Sequence, residues 1–286
     1  MDTHFWVIQA FNGISYGALL FLVGSGLSLI FGVMRIVNLA HGAYFLWGGY
    51  LALSVIWATG SWTLSLPLAA LGVAVLGLVM ERVFLRPLGF DPLRQVLLTV
   101  GFAYLFQQAA LDIWGGDNMD INPAPIFNNS IVIGGIYFPL YRVFMIVMAL
   151  AIGIALWLAM EKTRVGAAVR ATVDDAQMAR GVGIDTNRIS MIIFALGAFL
   201  AALGGVIGGA FLGIYPGLDF EMLPLAFAVV IIGGMGSLGG AAIGALAVGL
   251  ADNFGKALFP QVSYFTLYAP MVLILAIKPT GLFGRE

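Results

Sequence analysis

The stretch EKTRVGAAVRATVDDAQMARGVGIDTNR, residues 161–188, is the one long, cation-rich interruption of an otherwise apolar chain. It holds five of the thirteen Lys and Arg residues. Because Lys and Arg beside membrane-spanning segments are retained on the cytoplasmic side, we expect this stretch, called the elbow below, to lie inside the cell. The elbow therefore orients the spans before and after it.

Capping signals indicate that the elbow is folded. Asp174 is followed three residues later by Gln177, which has the form of a capping box at the start of a helix. Gly183 follows that helix and suits the left-handed conformation that ends many helices. The pattern predicts a short helix, a turn, a second short helix and then a membrane span. The remaining signals are Thr163 ahead of a first helix through Arg170, Gly181 after Arg180, and Asp185 or Thr186 ahead of a span that begins near Ile189.

A folded segment between two spans has one obvious use, which is to dock on a soluble partner. Many polytopic proteins, however, carry basic cytoplasmic loops that only fix orientation. Composition alone favours that plainer interpretation, and only the residue pattern argues for docking.

The composition excludes a soluble domain. The chain has 286 residues, of which 61% are hydrophobic and 9% charged, and its mean hydropathy is +1.02. Cysteine is absent, which excludes disulfides and thiolate metal sites. The first apolar segment begins without the basic residues of a secretory signal, so we expect it to be a retained span. We predict an all-α, polytopic helical membrane protein with about eight or nine membrane segments. The apolar segments are about 5–31, 38–58, 62–85, 95–113, 141–160, 189–213, 224–252 and 262–278.

Basic residues near these segments favour one orientation, with the N-terminus outside and the C-terminus inside. Residues 114–140 carry no Lys or Arg and are expected outside. Arg142 is the one basic residue that falls on the wrong side. The cations expected inside are Arg35, those of residues 82–94, those of the elbow, Lys278 and Arg285.

A Gly-rich break, GGMGSLGG at residues 233–240, interrupts the apolar run 224–253. It leaves two halves of about thirteen residues, which are too short to span a bilayer alone. We therefore expect a broken or re-entrant pair of half-helices that enter and leave on the outer side or meet at depth. Broken helices often mark substrate sites, whereas two tilted spans packed through flexible glycines are the plainer alternative.

Small residues and one sequence echo give hints about packing. Residues 197–213, 13–17 and 240–244 carry small residues at every fourth position, which predicts close helix contacts. IFGVM at residues 30–34 is echoed by IIGGM at residues 231–235. The echo hints at an inverted repeat with one copy on each side of the elbow.

Polar residues inside the apolar segments are few, and such groups face protein or water. Asn38 and His41 are three residues apart and would share one helical face. We interpret them as candidates for a substrate pathway, with helix packing by His41 as the plainer alternative. The sequence supports no metal site, nucleotide-binding loop or catalytic constellation. The other polar candidates are Asn12, Gln107, Gln108 and Asp112.

The string TRVGAAVRATVDDAQMARGVGIDTNRISMIIFALGA, in and after the elbow, resembles the cytoplasmic coupling loop of ABC importer permeases of the branched-chain amino acid type, the LivH-like family. Four other stretches resemble this family in the same order, so the likeness covers nearly the whole chain. They are FNGISYGALLFLVGSGLSLIFGVMRIVNLAHG, ERVFLRPL, AVVIIGGMGSLGGAAIGALAVGLAD and KPTGLFGRE.

The resemblance implies an inner-membrane permease subunit, a single permease domain over residues 1–286 that needs no cofactor and has no ATPase motif. The implied partners are a homologous LivM-type permease subunit, two cytoplasmic ATP-binding subunits and a periplasmic solute-binding protein. The implied solute is leucine, isoleucine or valine. Family members usually carry Glu after the AHG tripeptide, where this chain has Ala43. Urea, short amides and other small acids therefore stay open as solutes.

Three sets of site residues are expected. The substrate pathway comprises Asn38, His41, Gly233, Gly234, Gly236 and Ser237. The ATPase-coupling set comprises Arg164, Gly166, Arg170, Asp174, Asp175, Ala179 and Gly183. The binding-protein docking set comprises Asp117, Asp120, Asp219 and Glu221. An ion-coupled secondary transporter is the alternative class, in which Asp112 and His41 would titrate, and a membrane-bound enzyme is a weaker one.

Overall fold

The structure is a computed structural model that describes residues 3–89, 91–278 and 280–284. It confirms the all-α prediction. The helices are α1 (Thr3–Met34), α2 (His41–Thr59), α3 (Trp62–Val79), α4 (Pro92–Trp114), α5 (Leu140–Lys162), α6 (Arg164–Asp174), α7 (Ala176–Gly181), α8 (Thr186–Leu212), α9 (Leu218–Gly233), α10 (Leu238–Leu258) and α11 (Ser263–Ile277).

Short irregular elements complete the chain. A π-helical turn, Met80–Leu85, and a 3₁₀ turn, Arg86–Leu88, extend α3, while Pro125–Asn128 and Pro260–Val262 are also 3₁₀ turns. Strands β1 (Ser130–Ile133) and β2 (Ile136–Pro139) form an antiparallel hairpin that the sequence patterns did not predict. Six of the described helices are long and apolar enough to cross a membrane: α1, α3 with its extension, α4, α5, α8 and α10. The total of eight or nine segments stays a prediction.

Helices α1 and α8 form the antiparallel centre of the bundle. A Cβ added at Gly197 would lie 2.9 Å from the Gly26 carbonyl oxygen of α1, and one added at Gly205 would overlap the Phe45 carbonyl oxygen of α2. Such contacts leave no room for larger residues and allow close backbone approach. The small-residue pattern in α8 therefore forms the packing surface that was predicted.

The two halves of the chain are arranged in inverted order. The third helix of the second half, α10, packs on α1, where Gly17 lies against the Ala245 carbonyl. The third helix of the first half, α3, packs on α8, where Gly77 lies against Ala198. The IFGVM motif ends α1, however, while IIGGM straddles the end of α9. These positions are not equivalent in the two halves, so the sequence echo does not mark the repeat.

The break near residue 235 differs from its prediction. Helices α9 and α10 have 16 and 21 residues, because α9 begins before the apolar run and α10 continues beyond it. A Cβ at Gly236 would lie 3.0 Å from Gly32, near the end of α1. Leu238 also packs against the cluster that contains Val169 of α6. The break thus lies at the end of the bundle that carries the elbow, called the elbow end, and not at the opposite end, so the predicted re-entry from the outer side is wrong.

The chain end returns to the elbow end as well. The amides of Leu282 and Phe283 donate to the Ile232 and Gly233 carbonyls at 3.0 Å. Helix α9 therefore runs to the elbow end from inside the bundle, α10 runs away from the elbow end and α11 returns toward it, which agrees with the odd number of passes that the predicted orientation requires. Arg285, which supported that orientation, lies outside the described residues.

Residues 115–139, called the outer loop, cover the end of the bundle opposite the elbow, called the outer-loop end. Met119 pairs with Ile214 in an antiparallel bridge, with N–H to O distances of 2.8 and 2.7 Å. Ile121, a residue of this loop, is buried against the bundle. These contacts fasten the loop to the chain segment between α8 and α9.

Candidate translocation pathway and partner surfaces

Helix α2 begins deep inside the bundle. After α1 ends, Arg35 adopts a left-handed conformation with φ 56°, and residues 35–40 run back along α1. The His41 Nε2 atom lies 2.9 Å from the carbonyl oxygen of Val23. Val23 is eleven residues before the end of α1, or about 16 Å along its axis. The start of α2 is therefore far from the elbow end.

Helix α9 begins in a similar way. Ile214 returns from the end of α8 and packs where side chains at Gly49 and Gly209 would otherwise lie. A side chain at Gly42 would overlap the carbonyl oxygen of Asp219, in the first turn of α9. The first turns of α2 and α9 thus meet inside the protein, and the helices then run toward opposite ends. This meeting point is called the junction below.

The junction collects buried polar atoms that lack partners among the described residues. Because the Val23 carbonyl only accepts, His41 Nε2 must donate to it, and Nδ1 of the neutral ring is a bare acceptor without a partner. Asn38 Oδ1 accepts from the Ala40 amide at 3.1 Å, but its Nδ2 makes no acceptable hydrogen bond even though the Tyr44 hydroxyl is close. One carboxylate oxygen of Asp219 is also unpartnered.

Unpartnered buried groups are costly and call for an explanation such as a ligand, water or a second conformation. The junction offers a donor, an acceptor and a carboxylate oxygen, which suits hydrogen bonding to a small polar solute. Ala43 and Phe45 are buried in the same turn of α2.

Two details of the predicted pathway are wrong. Asn38 precedes α2, so Asn38 and His41 do not share a helical face. The Gly-rich break does not lie beside them, because it is at the elbow end. There the chain fills its own break: Gly233 abuts the Gly240 carbonyl, residues 281–284 cover Gly234, Gly236 abuts Gly32, and the Ser237 carbonyl accepts from Ser28 at 3.3 Å.

The elbow has the predicted helix, turn, helix order. Thr163 caps α6 by accepting from the Gly166 amide at 3.0 Å, and Asp185 caps α8 by accepting from the Arg188 amide at 3.0 Å. The cap of α7 is Asp175, which accepts from the amides of Gln177 and Met178, so the predicted capping box is one residue too early. Asp174 is instead the last residue of α6, which is longer than expected.

The elbow is clamped to the spans on both sides. A side chain at Gly166 would overlap the carbonyl oxygens of Ala159 and Met160 at the end of α5. Arg170 donates to the Met160 carbonyl, and on the other side Arg180 Nε donates to the Thr186 hydroxyl at the start of α8 at 2.9 Å. Ala179 is buried. Gly183 has φ +90° and open space around it, in agreement with its expected left-handed conformation. The exposed polar members of the coupling set are Arg164, Asp174 and Asp175.

The sequence reasoning missed an exposed apolar patch on the elbow. Met178 and Val182 are 66% and 70% exposed, and their spacing of four places them close together on one side of the second short helix. Val165, at the start of α6, is also exposed. Exposed apolar patches rimmed by polar groups mark interaction sites. The sequence did contain a signal, because Met178 is an apolar residue in the first turn of a polar capped helix. Placing the cap at Asp174 instead of Asp175 hid which side of that helix Met178 occupies.

Arg86, in the 3₁₀ turn that follows α3, connects the end of α3 to the start of α8. Arg86 Nη2 donates to the buried carboxylate of Glu81 at 3.1 Å and to the Asn187 carbonyl at 3.1 Å. A cleft of about 110 Å³ lies beside this contact and is also lined by Thr172 and Arg180 of the elbow. Movement of the elbow can therefore reach α3 through Arg86.

The outer acidic set is only partly on the surface. Asp117, Asp120 and Glu221 are exposed, and Glu221 accepts from the Tyr215 hydroxyl at 2.9 Å. Asp219 is 2% exposed because α9 begins inside the bundle. Its assignment to an exposed docking face is therefore wrong, and its carboxylate belongs to the junction.

Comparison with known proteins identifies the family. The branched-chain amino acid transport system / permease component family matches residues 9–275. The chain belongs to this family. The permease is 29% identical to the high-affinity branched-chain amino acid transport system permease protein BraD of Pseudomonas aeruginosa, over 99% of this chain and 97% of the relative.

Two further relatives of the permease are named as components of the same kind of system. It is 31% identical to LivH of Escherichia coli strain K12, over 98% of this chain and 96% of LivH. It is also 28% identical to LivM of Salmonella typhimurium, over 91% of this chain and 67% of LivM. No solved structure matches the permease.

Proposed function

We propose that this permease is the membrane subunit of an ABC importer for branched-chain amino acids. It would sit in the bacterial inner membrane beside a homologous permease subunit and work with two cytoplasmic ATPases and a periplasmic binding protein. The relatives BraD and LivH are named as high-affinity branched-chain amino acid permeases, which supports the solute class. Urea and short amides are the alternative solutes.

The observation that carries the proposal is the elbow. It consists of two capped short helices clamped to α5 and α8, with exposed charges and the apolar pair Met178 and Val182. A rigid projection of this kind can transmit the push of a soluble partner into the bundle, whereas a loop that only fixes orientation needs no apolar patch. We infer that the ATPase docks on the patch with the coupling residues around it.

Two substitutions test this docking. Replacing Met178 and Val182 by Asp should weaken ATPase binding, because a charge would be buried against an apolar surface. We expect pull-down of the ATPase from detergent-solubilised membranes to fall while the yield of the permease stays normal. The matched control is Gln177→Asp, which changes an exposed neighbour in the same helix. Unchanged pull-down in the double variant would remove the patch from the interface.

The solute pathway is proposed to pass the junction. His41 and Asn38 present neutral hydrogen-bonding atoms there, and Phe45 is an apolar neighbour. We propose a different role for the residues of the Gly-rich break, whose contacts at the elbow end would separate when the pathway opens. They are Gly233, Gly234, Gly236 and Ser237. A panel of labelled leucine, isoleucine, valine, urea and acetamide in reconstituted vesicles tests the solute class. Uptake of urea or acetamide in preference to the three amino acids would contradict it.

A further inference from the structure

Arg142, at the outer-loop end of the bundle, occupies a position that is unfavourable for a cation in three ways. It is the third residue of α5, where the helix dipole disfavours positive charge. It is half-buried at the end opposite the elbow, where membrane proteins carry few cations. Within the part of the chain that the structure describes, no carboxylate lies within ion-pair distance of Arg142.

The protein nevertheless holds this guanidinium in place. Arg142 Nη1 donates to the Asn12 side-chain oxygen at 2.6 Å. The guanidinium carbon lies 4.8 Å from the centre of the Phe211 ring, which is a cation–π contact. A guanidinium has five N–H donors in a planar fork. Asn12 accepts from Nη1 alone and fixes the orientation of the guanidinium. Other N–H donors of the group stay available to a ligand.

The nearby cation Lys256 gives a comparison, because its charge is paired with a carboxylate. Its Nζ lies 2.8 Å from the Asp252 carboxylate, one turn away on α10. The Tyr16 ring lies between the two cations, 5.7 Å from Lys256 Nζ and 6.4 Å from the Phe211 ring. Lys256 is thus neutralised by its own helix, whereas Arg142 stands beside aromatic surface with no counter-ion among the described residues.

We propose that Arg142 binds the carboxylate of the solute as it enters at the outer-loop end. A guanidinium fork pairs with a carboxylate through two parallel hydrogen bonds, and the partly exposed Phe211 ring offers apolar surface to an aliphatic side chain. Asn12 is a positioning residue that orients the fork. The inference rests on the proposed function, because it requires the solute to be an amino acid.

Two other anions are competing ligands, namely a phospholipid phosphate and an acidic side chain of the binding protein. The recessed position of Arg142, between α1, α5 and α8, favours a small ligand over a protein surface. The test must therefore separate solute transfer from protein docking and from lipid binding.

The experiment uses the complete importer in vesicles with labelled leucine, loaded binding protein and ATP, and measures leucine uptake per ATP hydrolysed and per assembled complex. We expect Arg142→Gln to lower this ratio about ten- to hundredfold, the usual weight of a hydrogen bond to a charged group. Arg142→Lys should be intermediate, since it keeps the charge and loses the fork. Asn12→Leu, a second variant in case Arg142→Gln assembles poorly, should lower the ratio about threefold, as expected for one positioning hydrogen bond. Arg94→Gln, a surface control, should have no effect.

The outcomes distinguish the alternatives. Normal uptake by both Arg142→Gln and Asn12→Leu would overturn the inference, as would a proportional loss of binding-protein affinity. A loss seen only in vesicles with phosphatidylglycerol, and not in pure phosphatidylcholine, would assign Arg142 to lipid phosphate. A wild-type importer that takes up no amino acid would overturn the proposed function as well, before any variant is compared.

Discussion

The elbow end and the outer-loop end of this permease are built in opposite ways. At the elbow end, the two short helices carry their own caps at Thr163 and Asp175, Asp185 caps the following span α8, and α6 is pressed onto α5 at Gly166. At the outer-loop end, a hairpin and an extended segment are fastened to the bundle by the Met119–Ile214 backbone bridge and by side chains such as Ile121 and Phe127, the latter packed on Trp62 and Phe144. The first attachment consists of capped helices pressed backbone to backbone, and the second of an extended segment held by one bridge and by side-chain packing.

The difference matches the two tasks proposed for the ends. A lever that receives a push must not deform, and closely packed glycines with self-capped helices provide stiffness. A surface that receives a loaded protein has no such requirement, and an extended segment held at separate points can adjust locally. Substitutions that soften the elbow should therefore harm coupling more than equal changes at the outer-loop end.

The largest effect is expected from Gly166→Val. The new side chain would overlap two carbonyl oxygens at the end of α5, so α6 must move away from the bundle. We expect ATP hydrolysis to continue while solute uptake falls to background, as measured by both rates in reconstituted vesicles.

Two other glycines of the elbow serve as matched comparisons. Gly183→Val meets open space but forces a β-branched residue into a left-handed conformation, at a cost of roughly 1–3 kcal/mol, and should uncouple partly. Gly181→Val has open space and none of that strain, and should be nearly normal. Equal effects at all three positions would show that the clamp at Gly166 is not what makes the elbow stiff.

The next effect is expected at the junction between the two ends. His41→Leu removes the hydrogen bond to the Val23 carbonyl, which keeps its helical partner, so the loss is that of one neutral hydrogen bond, about 1 kcal/mol. His41→Gln keeps a donor and should be milder. If His41 belongs to the pathway, uptake per assembled complex falls in His41→Leu. If both variants reduce only the yield of folded permease, His41 packs the bundle and is not part of the pathway.

A moderate effect is expected from Arg86→Gln. This change leaves the buried Glu81 carboxylate without its cation and loosens the contact to α8, which costs roughly 1–3 kcal/mol. We expect a lower thermal unfolding temperature of the purified permease and a partial loss of coupling. The control is Arg94→Gln, an exposed arginine in the first turn of α4 that pairs with Asp91. Equal stability of the two variants would contradict a role for Arg86 as a link.

The smallest effect is expected from the exposed acids of the outer-loop end. Replacing Asp117, Asp120 and Glu221 by their amides should weaken docking of a binding protein with a basic rim by a few-fold, and the effect should shrink at high salt. Surface binding measured at two ionic strengths checks this, with Asp91→Asn at the elbow end as control. An affinity that ignores both salt and these acids would rule out an acidic docking face.

Local signals explain why much of the elbow was predictable. Thr163 and Asp185 act through amides three residues away, so their roles are visible in sequence. Even the one-residue error at Asp174 has a local cause, since two adjacent aspartates can both serve as caps. The small-residue face of α8 was equally visible because its period is that of a helix.

The junction was not predictable, because it depends on where distant segments fold. Asp219 is buried only because α9 starts inside the bundle, which follows from the return of Ile214 and its bridge to Met119. Asn38 lies outside a helix because the chain turns back at Arg35. The hydropathy of these stretches gives no sign of either turn.

The central claim is that the permease works as part of an ATP-driven importer. The most direct measurement is leucine uptake into vesicles that contain the complete importer, with binding protein outside, with and without ATP inside, and with and without an imposed proton or sodium gradient. The account predicts uptake that requires ATP and the binding protein and is indifferent to both gradients. Uptake that follows a gradient in the absence of ATP would contradict it and indicate a secondary transporter.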